Sequence, residues 1–197
     1  VDKIEDWKDV LPDAPLHVFT TIQTFDEKGD NSSCPIIYAD FDGEHALEDA
    51  RILYARIKQT FNVSAEVFFS GKKGFHVILP YYIKHPLCSL IARHITSQVG
   101  GFSSLDKGRY GARSMIREEN SMHPDTGKYK ILLTERELFE KELEEIRDLA
   151  DRPRREQRKG IIYSLCQIEQ FEHWYKEALS EIDKRPVKTA KYSGDKE

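Results

Sequence analysis

Two apolar runs, residues 65–69 and 75–79, are separated only by Ser70-Gly71-Lys72-Lys73-Gly74. A short link with two glycines between strand-like runs is a hairpin signal, so the fold must accommodate an antiparallel pair with a basic tip. Further strands are predicted over 16–25, where Val18 and Ile22 share a face, over the apolar run 35–41, and over 128–133. A polar loop, 26–33, separates the first two. Helical spacing of apolar residues marks 44–61 (Leu47, Ala50, Ile57, Phe61) and 86–99 (Leu87, Leu90, Ile91, Ile95, Val99), the latter stopped by Gly100-Gly101. Strands interleaved with helices, with at least one hairpin, predict an α+β domain.

The second half is more helical. Thr134 and Glu137 form a capping-box pattern that opens a charged helix running to about Ala150, with a solvated Glu-rich face. Residues 151–159 then carry five basic side chains against two acidic ones, and Pro153 breaks the preceding helix. A stripe from Ile161 through Leu165, Ile168, Phe171, Trp174 or Tyr175 and Ala178 to Ile182 predicts a long helix packed on the core. Residues 184–197 are expected to fray. The division expected is a core domain over 1–150 and a basic linker, helix and tail over 151–197.

Composition narrows the class. At 197 residues the chain can bury a real core, and 11% aromatic residues argue against global disorder. No apolar run approaches the length of a membrane span, and no secretory leader opens the chain, which predicts an intracellular, cytoplasmic protein. The first residue is Val1 rather than Met, as expected of a piece of a larger protein. The net charge of −4 rules out a uniformly basic nucleic-acid coat but leaves room for a local basic groove. Cys34, Cys88 and Cys166 are dispersed and form no CxxC or Cys/His cluster, so reduced buried thiols and no structural zinc are expected.

Three stretches carry chemistry. In Tyr38-Ala39-Asp40-Phe41-Asp42, residues two apart on a strand put Asp40 and Asp42 on one face. Like charges that close repel unless a cation sits between them, and a hard divalent ion with oxygen ligands suits that place. Read alone, the pair is equally a solvated turn. In Ser70-Gly71-Lys72-Lys73-Gly74-Phe75-His76, the glycines let backbone N–H groups approach a ligand, and the lysines add charge. This is a cradle suited to a triphosphate, or else a basic hairpin tip with a half-buried histidine. It is not a Walker loop. The third stretch, 105–128, holds Asp106, Arg109, Arg113, Arg117, Ser121 and His123 just before a strand. Arginine suits bidentate phosphate contacts, and Asp106 is a third carboxylate for a metal site; a charged surface loop is the alternative.

The order of these stretches, DxD, then SGxxGxH, then an acid followed by RxxxSxHxxTG, resembles the archaeo-eukaryotic primase superfamily, small-subunit and primase-polymerase type. Ile36 to Asp42 looks like its first motif, and Ser70 to His76 like its second, with Lys73 where Arg is usual. Ile116-Arg117-Glu118-Glu119-Asn120-Ser121-Met122-His123-Pro124-Asp125-Thr126-Gly127 looks like the third, with Glu118-Glu119 in place of Leu-Pro. The resemblance implies an RRM-like catalytic core with a mixed or antiparallel sheet. It implies template-directed nucleotidyl transfer, as DNA primase or primase-polymerase, with two Mg²⁺ or Mn²⁺ ions held by Asp40, Asp42 and Asp106. Ser70, Lys72, Lys73, His76, Arg117, Ser121 and His123 would bind the nucleotide. The implied partners are single-stranded DNA template and primer, an NTP or dNTP, and a helicase domain or other replication partner, with no membrane.

Two other classes compete. Asp40-Phe41-Asp42-Gly43 also looks like the DxDG of haloacid-dehalogenase phosphatases, where the first Asp is the nucleophile. Glu44 stands where that class wants Thr or Val, and no late acidic pair is evident. A nucleic-acid-binding relative that has lost catalysis is the other. For 152–159, template contact competes with ion pairing to the preceding glutamates.

Overall fold

The computed structural model describes residues 17–29, 31–111, 113–154 and 168–184. In chain order the elements are strands β1 (Phe19–Thr21), β2 (Thr24–Phe25) and β3 (Asn31–Phe41), helix α1 (Ala46–Phe61), strands β4 (Glu66–Phe69) and β5 (Phe75–Ile83), helix α2 (Cys88–Val99), strands β6 (Met115–Arg117) and β7 (Ile131–Leu133), and helices α3 (Glu135–Glu140), α4 (Leu143–Leu149) and α5 (Ile168–Asp183). Five strands form one antiparallel sheet in the order β2-β3-β5-β4-β7, while β1 pairs with β6 in a separate ribbon. The class is mixed α+β with antiparallel sheets, as expected.

Alternation along the strands divides the sheet into two faces. Ile37, Ala39 and Phe41 lie opposite Leu79, Val77 and Phe75, which continue to Val67 and Phe69 on β4. These side chains join Leu53 and Ile57 of α1 and Ile91 and Ile95 of α2 in one buried core. Each fully buried aliphatic side chain of this kind contributes about 1.5–3 kcal/mol. The other face carries Tyr38 opposite Ile78, and Asp40 opposite His76, which in turn lies opposite Phe68. The sheet thus sends hydrocarbon one way and an acid–histidine pair the other. Helix α5 packs on α2; its Phe171 stacks on Phe61 at 3.9 Å between ring centres, and Ala178 is buried in the core, as the stripe predicts. Ile161, Ile162, Leu165 and the tail beyond 184 lie outside the described residues.

Three sequence-based expectations change. The single strand expected over 16–25 is two. Ile22 and Gln23 turn inward and bond to the 111–114 segment (Ile22 N–H to Ser114 O, 3.1 Å; Gln23 Nε2 to Gly111 O, 3.0 Å), so β1 and β2 enter different sheets. The polar loop 26–33 ends early, because β3 begins at Asn31 to meet β2. The helix expected from 134 to 150 starts with the predicted Thr134/Glu137 capping box but breaks at Lys141-Glu142. Arg51 of α1 causes the break to hold: its guanidinium donates to Leu138 O (2.7 Å) and Lys141 O (2.6 Å), satisfying carbonyls at the end of α3. A second capping box, Glu142 with Glu145, restarts the chain as α4. Cys34 and Cys88 are free and buried, as expected; Cys166 lies outside the described residues. No described helix is long and apolar enough to cross a membrane.

Candidate active site

Strand β3 ends at Phe41, and residues 104–106 run antiparallel beside that end. Asp42 N–H donates to Ser104 O (2.9 Å), Asp106 N–H donates to Asp40 O (2.8 Å), and Phe41 bridges to Leu105. This pairing brings Asp106 next to Asp40 across 66 residues of chain (106 − 40). Asp106 also caps the 3-10 turn Lys107–Tyr110, accepting from Gly108 N–H at 2.8 Å. The turn aims Arg109 back between the two acids: its Nε lies 2.8 Å from Asp40 Oδ2 and 3.2 Å from Asp106 Oδ2. Tyr110, the last residue of the turn, stacks on Tyr38 and donates to its carbonyl at 2.7 Å, anchoring the turn to the sheet.

Burial pushes the Asp40 carboxyl above the usual range; Arg109 pulls it back, and the charges of Asp106 and Asp42 push it up further. The side chain is 16% exposed, whereas that of Asp42 is 59% exposed and lies 3.6 Å from Lys73 Nζ. Beside Asp40, His76 Nε2 stands 3.6 Å from Oδ1. His76 is 5% exposed, and burial together with the cations Lys130, Arg109 and Arg117 holds its pKa well below the ordinary value. The imidazole is therefore neutral at pH 7, and its Nδ1 has no hydrogen-bond partner among the described residues.

The hairpin tip sits against this acidic edge. Gly71 adopts φ +95°, and a Cβ there would lie 2.9 Å from Lys128 O; a Cβ on Gly74 would lie 2.7 Å from Phe41 O. Glycine is thus required at both places for the tip to touch the acid-bearing strand and the later loop. Ser70 Oγ accepts from Gly74 N–H at 3.2 Å. Thr126 Oγ donates to Gly71 O at 2.6 Å, and Lys72 Nζ pairs with Asp125 at 2.7 Å, so the second and third stretches are locked together.

The result is one cleft of about 410 Å³. Asp40, Asp42, Ser70, Lys72, Lys73, His76, Asp106, Arg117 and His123 all line it, so nine of the ten sequence-predicted site residues converge. Ser121 does not: it is buried and donates to Glu118 O at 2.7 Å, which shapes the Arg117–His123 loop instead of facing the cleft. Burial also lowers the pKa values of His123 and Arg117.

Metal-binding potential follows from the donors. Among the described residues no three His, Cys, Asp or Glu side chains are gathered into a ready metal-binding cluster. Asp40 and Asp106 instead share the positive charge of Arg109. Two carboxylates that already share a cation, with a mostly exposed third beside them, are the hard oxygen donors a divalent ion requires, provided Arg109 yields its place.

Sequence reading gave Arg109 only the general phosphate-binding suitability of its stretch and gave Phe19 and Met115 no role, yet all three line the cleft. Arg109 was visible as a cation three residues after Asp106. For Phe19 the signal was an apolar side chain on the strand face opposite Val18 and Ile22. Of the basic segment, Arg154 is engaged: it forms a two-pronged pair with Glu137 (2.8 and 2.7 Å) and donates to Leu132 O. This pair is the ion pairing expected as the alternative to template contact; Arg155, Arg158 and Lys159 lie outside the described residues.

No family model matches the sequence, and no curated protein matches it. Among solved structures the chain is similar to the AEP domain (PP-N190) of the cyanophage S-2L primase-polymerase, at 12% identity with a TM-score of 0.43. The likeness covers 60% of this chain and 62% of that one, so the chain spans less than two thirds of that domain.

Proposed function

We propose that the cleft binds a nucleoside triphosphate and transfers its nucleotidyl group to a hydroxyl, as a template-directed primase or primase-polymerase. The observation that carries this reading is the meeting, in one cleft, of the Asp40–Asp106 carboxylate pair and a glycine-built cationic hairpin. Support for an RRM-like core comes from the run β3-α1-β4-β5-α2, whose strands lie in the order β3-β5-β4. Residues 104–106 pair with the C-terminal end of β3 on the side away from β5, beyond the stretch that β2 covers, where the last strand of a split βαβ unit would fall.

Asp40 and Asp106, with Asp42, would hold divalent ions. When bound, such ions activate an attacking hydroxyl and neutralise the leaving pyrophosphate. The chain's own residues do the rest. Lys72 and Lys73 stand at the hairpin tip, each paired with a largely exposed carboxylate. Exposed pairs of this kind are worth about 0–1 kcal/mol, so a triphosphate displaces them readily. Ser70 accepts from Gly74 N–H and keeps its own proton to donate to a phosphate oxygen. Arg117 reaches the same space from the β1–β6 ribbon, and His123 from beside Gly71 of the hairpin tip. Neutral His76 adds no positive charge that would compete for Asp40.

The test is incubation with a primed single-stranded template, labelled NTPs or dNTPs and Mn²⁺, with sizing of the products. Template-dependent extension is expected. Release of phosphate from a small phosphomonoester without extension would transfer the site to the phosphatase class, and failure of both would leave a binding protein.

A further inference from the structure

The ribbon formed by β1 and β6 closes one side of the cleft, and its register decides what it presents. Phe19 lies opposite Arg117 and Thr21 opposite Met115. Residues two apart on a strand share a face, so Phe19, Arg117 and Met115 stand together on one surface. All three line the cleft. The two apolar members are unusually open: Phe19 is 49% exposed and Met115 52%. The Arg117 guanidinium rests over the Phe19 ring at 5.0 Å from its centre.

The opposite wall has a different character. It is built from Asp40, Asp42, Asp106, Lys72, Lys73 and the hairpin backbone, with no large apolar side chain turned to solvent among them. A ligand that fits both walls has a flat apolar head and an anionic tail. Arg117 belongs to both halves, since one cation touches the aromatic ring and faces the charged space.

We propose that Phe19, flanked by Met115 and held by Arg117, is the platform on which the nucleobase of the bound nucleotide stacks. This rests on the reading of the cleft as a nucleoside triphosphate site and names where the base of that nucleotide goes. The physics is ordinary. Aromatic side chains stack on any base, because every base has a π-face, and the gain is large enough to change affinity about fivefold or more. A thioether beside the ring adds polarizable contact without demanding a particular base. Such a platform binds the base without selecting its identity, as a templated reaction requires.

The experiment measures binding of ATP and of inorganic tripolyphosphate, each at fixed Mg²⁺, to the full chain and to Phe19→Ala and Phe19→Trp. Tripolyphosphate probes the anionic half alone. The wild type is expected to bind ATP at least about fivefold more tightly than tripolyphosphate, Phe19→Ala to lose most of that ratio with tripolyphosphate binding unchanged, and Phe19→Trp to keep it. Unchanged tripolyphosphate binding also shows that the alanine variant is folded. An unaltered ratio in Phe19→Ala overturns the platform while leaving the triphosphate site standing. An equal loss for both ligands also overturns it, because Phe19 then serves only to position Arg117. If the wild type binds neither ligand, the nucleotide reading itself fails and the platform with it.

Discussion

Arg109 donates from Nε to Asp40 Oδ2 at 2.8 Å, although the residues stand 69 positions apart in sequence. The pair places a positive charge where the candidate site needs one in the absence of metal, beside a carboxylate that the sheet has largely removed from water. Arg109 offsets only part of that removal, since the Asp40 pKa remains raised, with burial as the largest cause.

A stability difference follows. A carboxyl whose pKa is raised by folding contributes stability below its unfolded pKa and loses it as pH rises through the folded value. Asparagine has no charge to desolvate. In metal-free protein, Asp40→Asn will therefore have a higher Tm than the wild type at about pH 8, and the gap will close by about pH 3, where the wild-type carboxyl is protonated. Thermal melts across that range check it; a lower Tm for the variant at about pH 8 would mean that Arg109 more than compensates for burial.

Activity should move the opposite way. The double variant Asp40→Ala, Asp42→Ala will keep its circular dichroism spectrum and lose template-dependent extension at least about a hundredfold, the scale of removing a principal electrostatic stabiliser. Full extension by that variant would end the nucleotidyl-transfer reading.

The hairpin tip can be tested by one methyl group. Gly71 stands at φ +95° with Lys128 O where a Cβ would go. Gly71→Ala will destabilise the protein by about 1–3 kcal/mol, read as a lower denaturant midpoint, because both the backbone conformation and the contact are strained. It will also weaken tripolyphosphate binding, since Lys72 and His123 are no longer held in register. A variant with wild-type stability and binding would show that the tip adapts freely.

Acid stability has its own marker, away from the cleft. Burial alone would raise the Glu137 pKa, but the Arg154 pair and the Thr134 hydrogen bonds overcome it and bring the carboxyl from 4.5 down to about 2. A lowered folded pKa gives stability that is present above the unfolded value and lost as pH falls towards the folded one. Glu137→Gln will cost about 1.5–3 kcal/mol at neutral pH, the range for hydrogen bonds to charged groups, and will flatten the decline between those two pH values. Denaturant titrations at several pH values measure it, and parallel curves for the two proteins would contradict it.

Local residues determined much of this protein. The hairpin was legible from two glycines between apolar runs, the α3 start from Thr134 and Glu137, and α1, α2 and the described part of α5 from apolar spacing, because each signal acts within one or two turns of chain. The residue types of the cleft were legible for the same reason: Asp40 and Asp42 share a strand end, and Ser70 to His76 share a hairpin. Tertiary structure alone decided the rest. Arg109 reached Asp40 only because residues 104–106 paired with the end of β3; Ser121 was spent on a carbonyl because its loop turned inward; α3 stopped because Arg51, some ninety residues earlier (141 − 51), took its last carbonyls. Strand 16–25 divided because two separate partners, β6 and β3, competed for it. Each of these outcomes depends on which distant group arrives to satisfy a charge or a backbone dipole, and local propensity carries no information about arrivals of that kind.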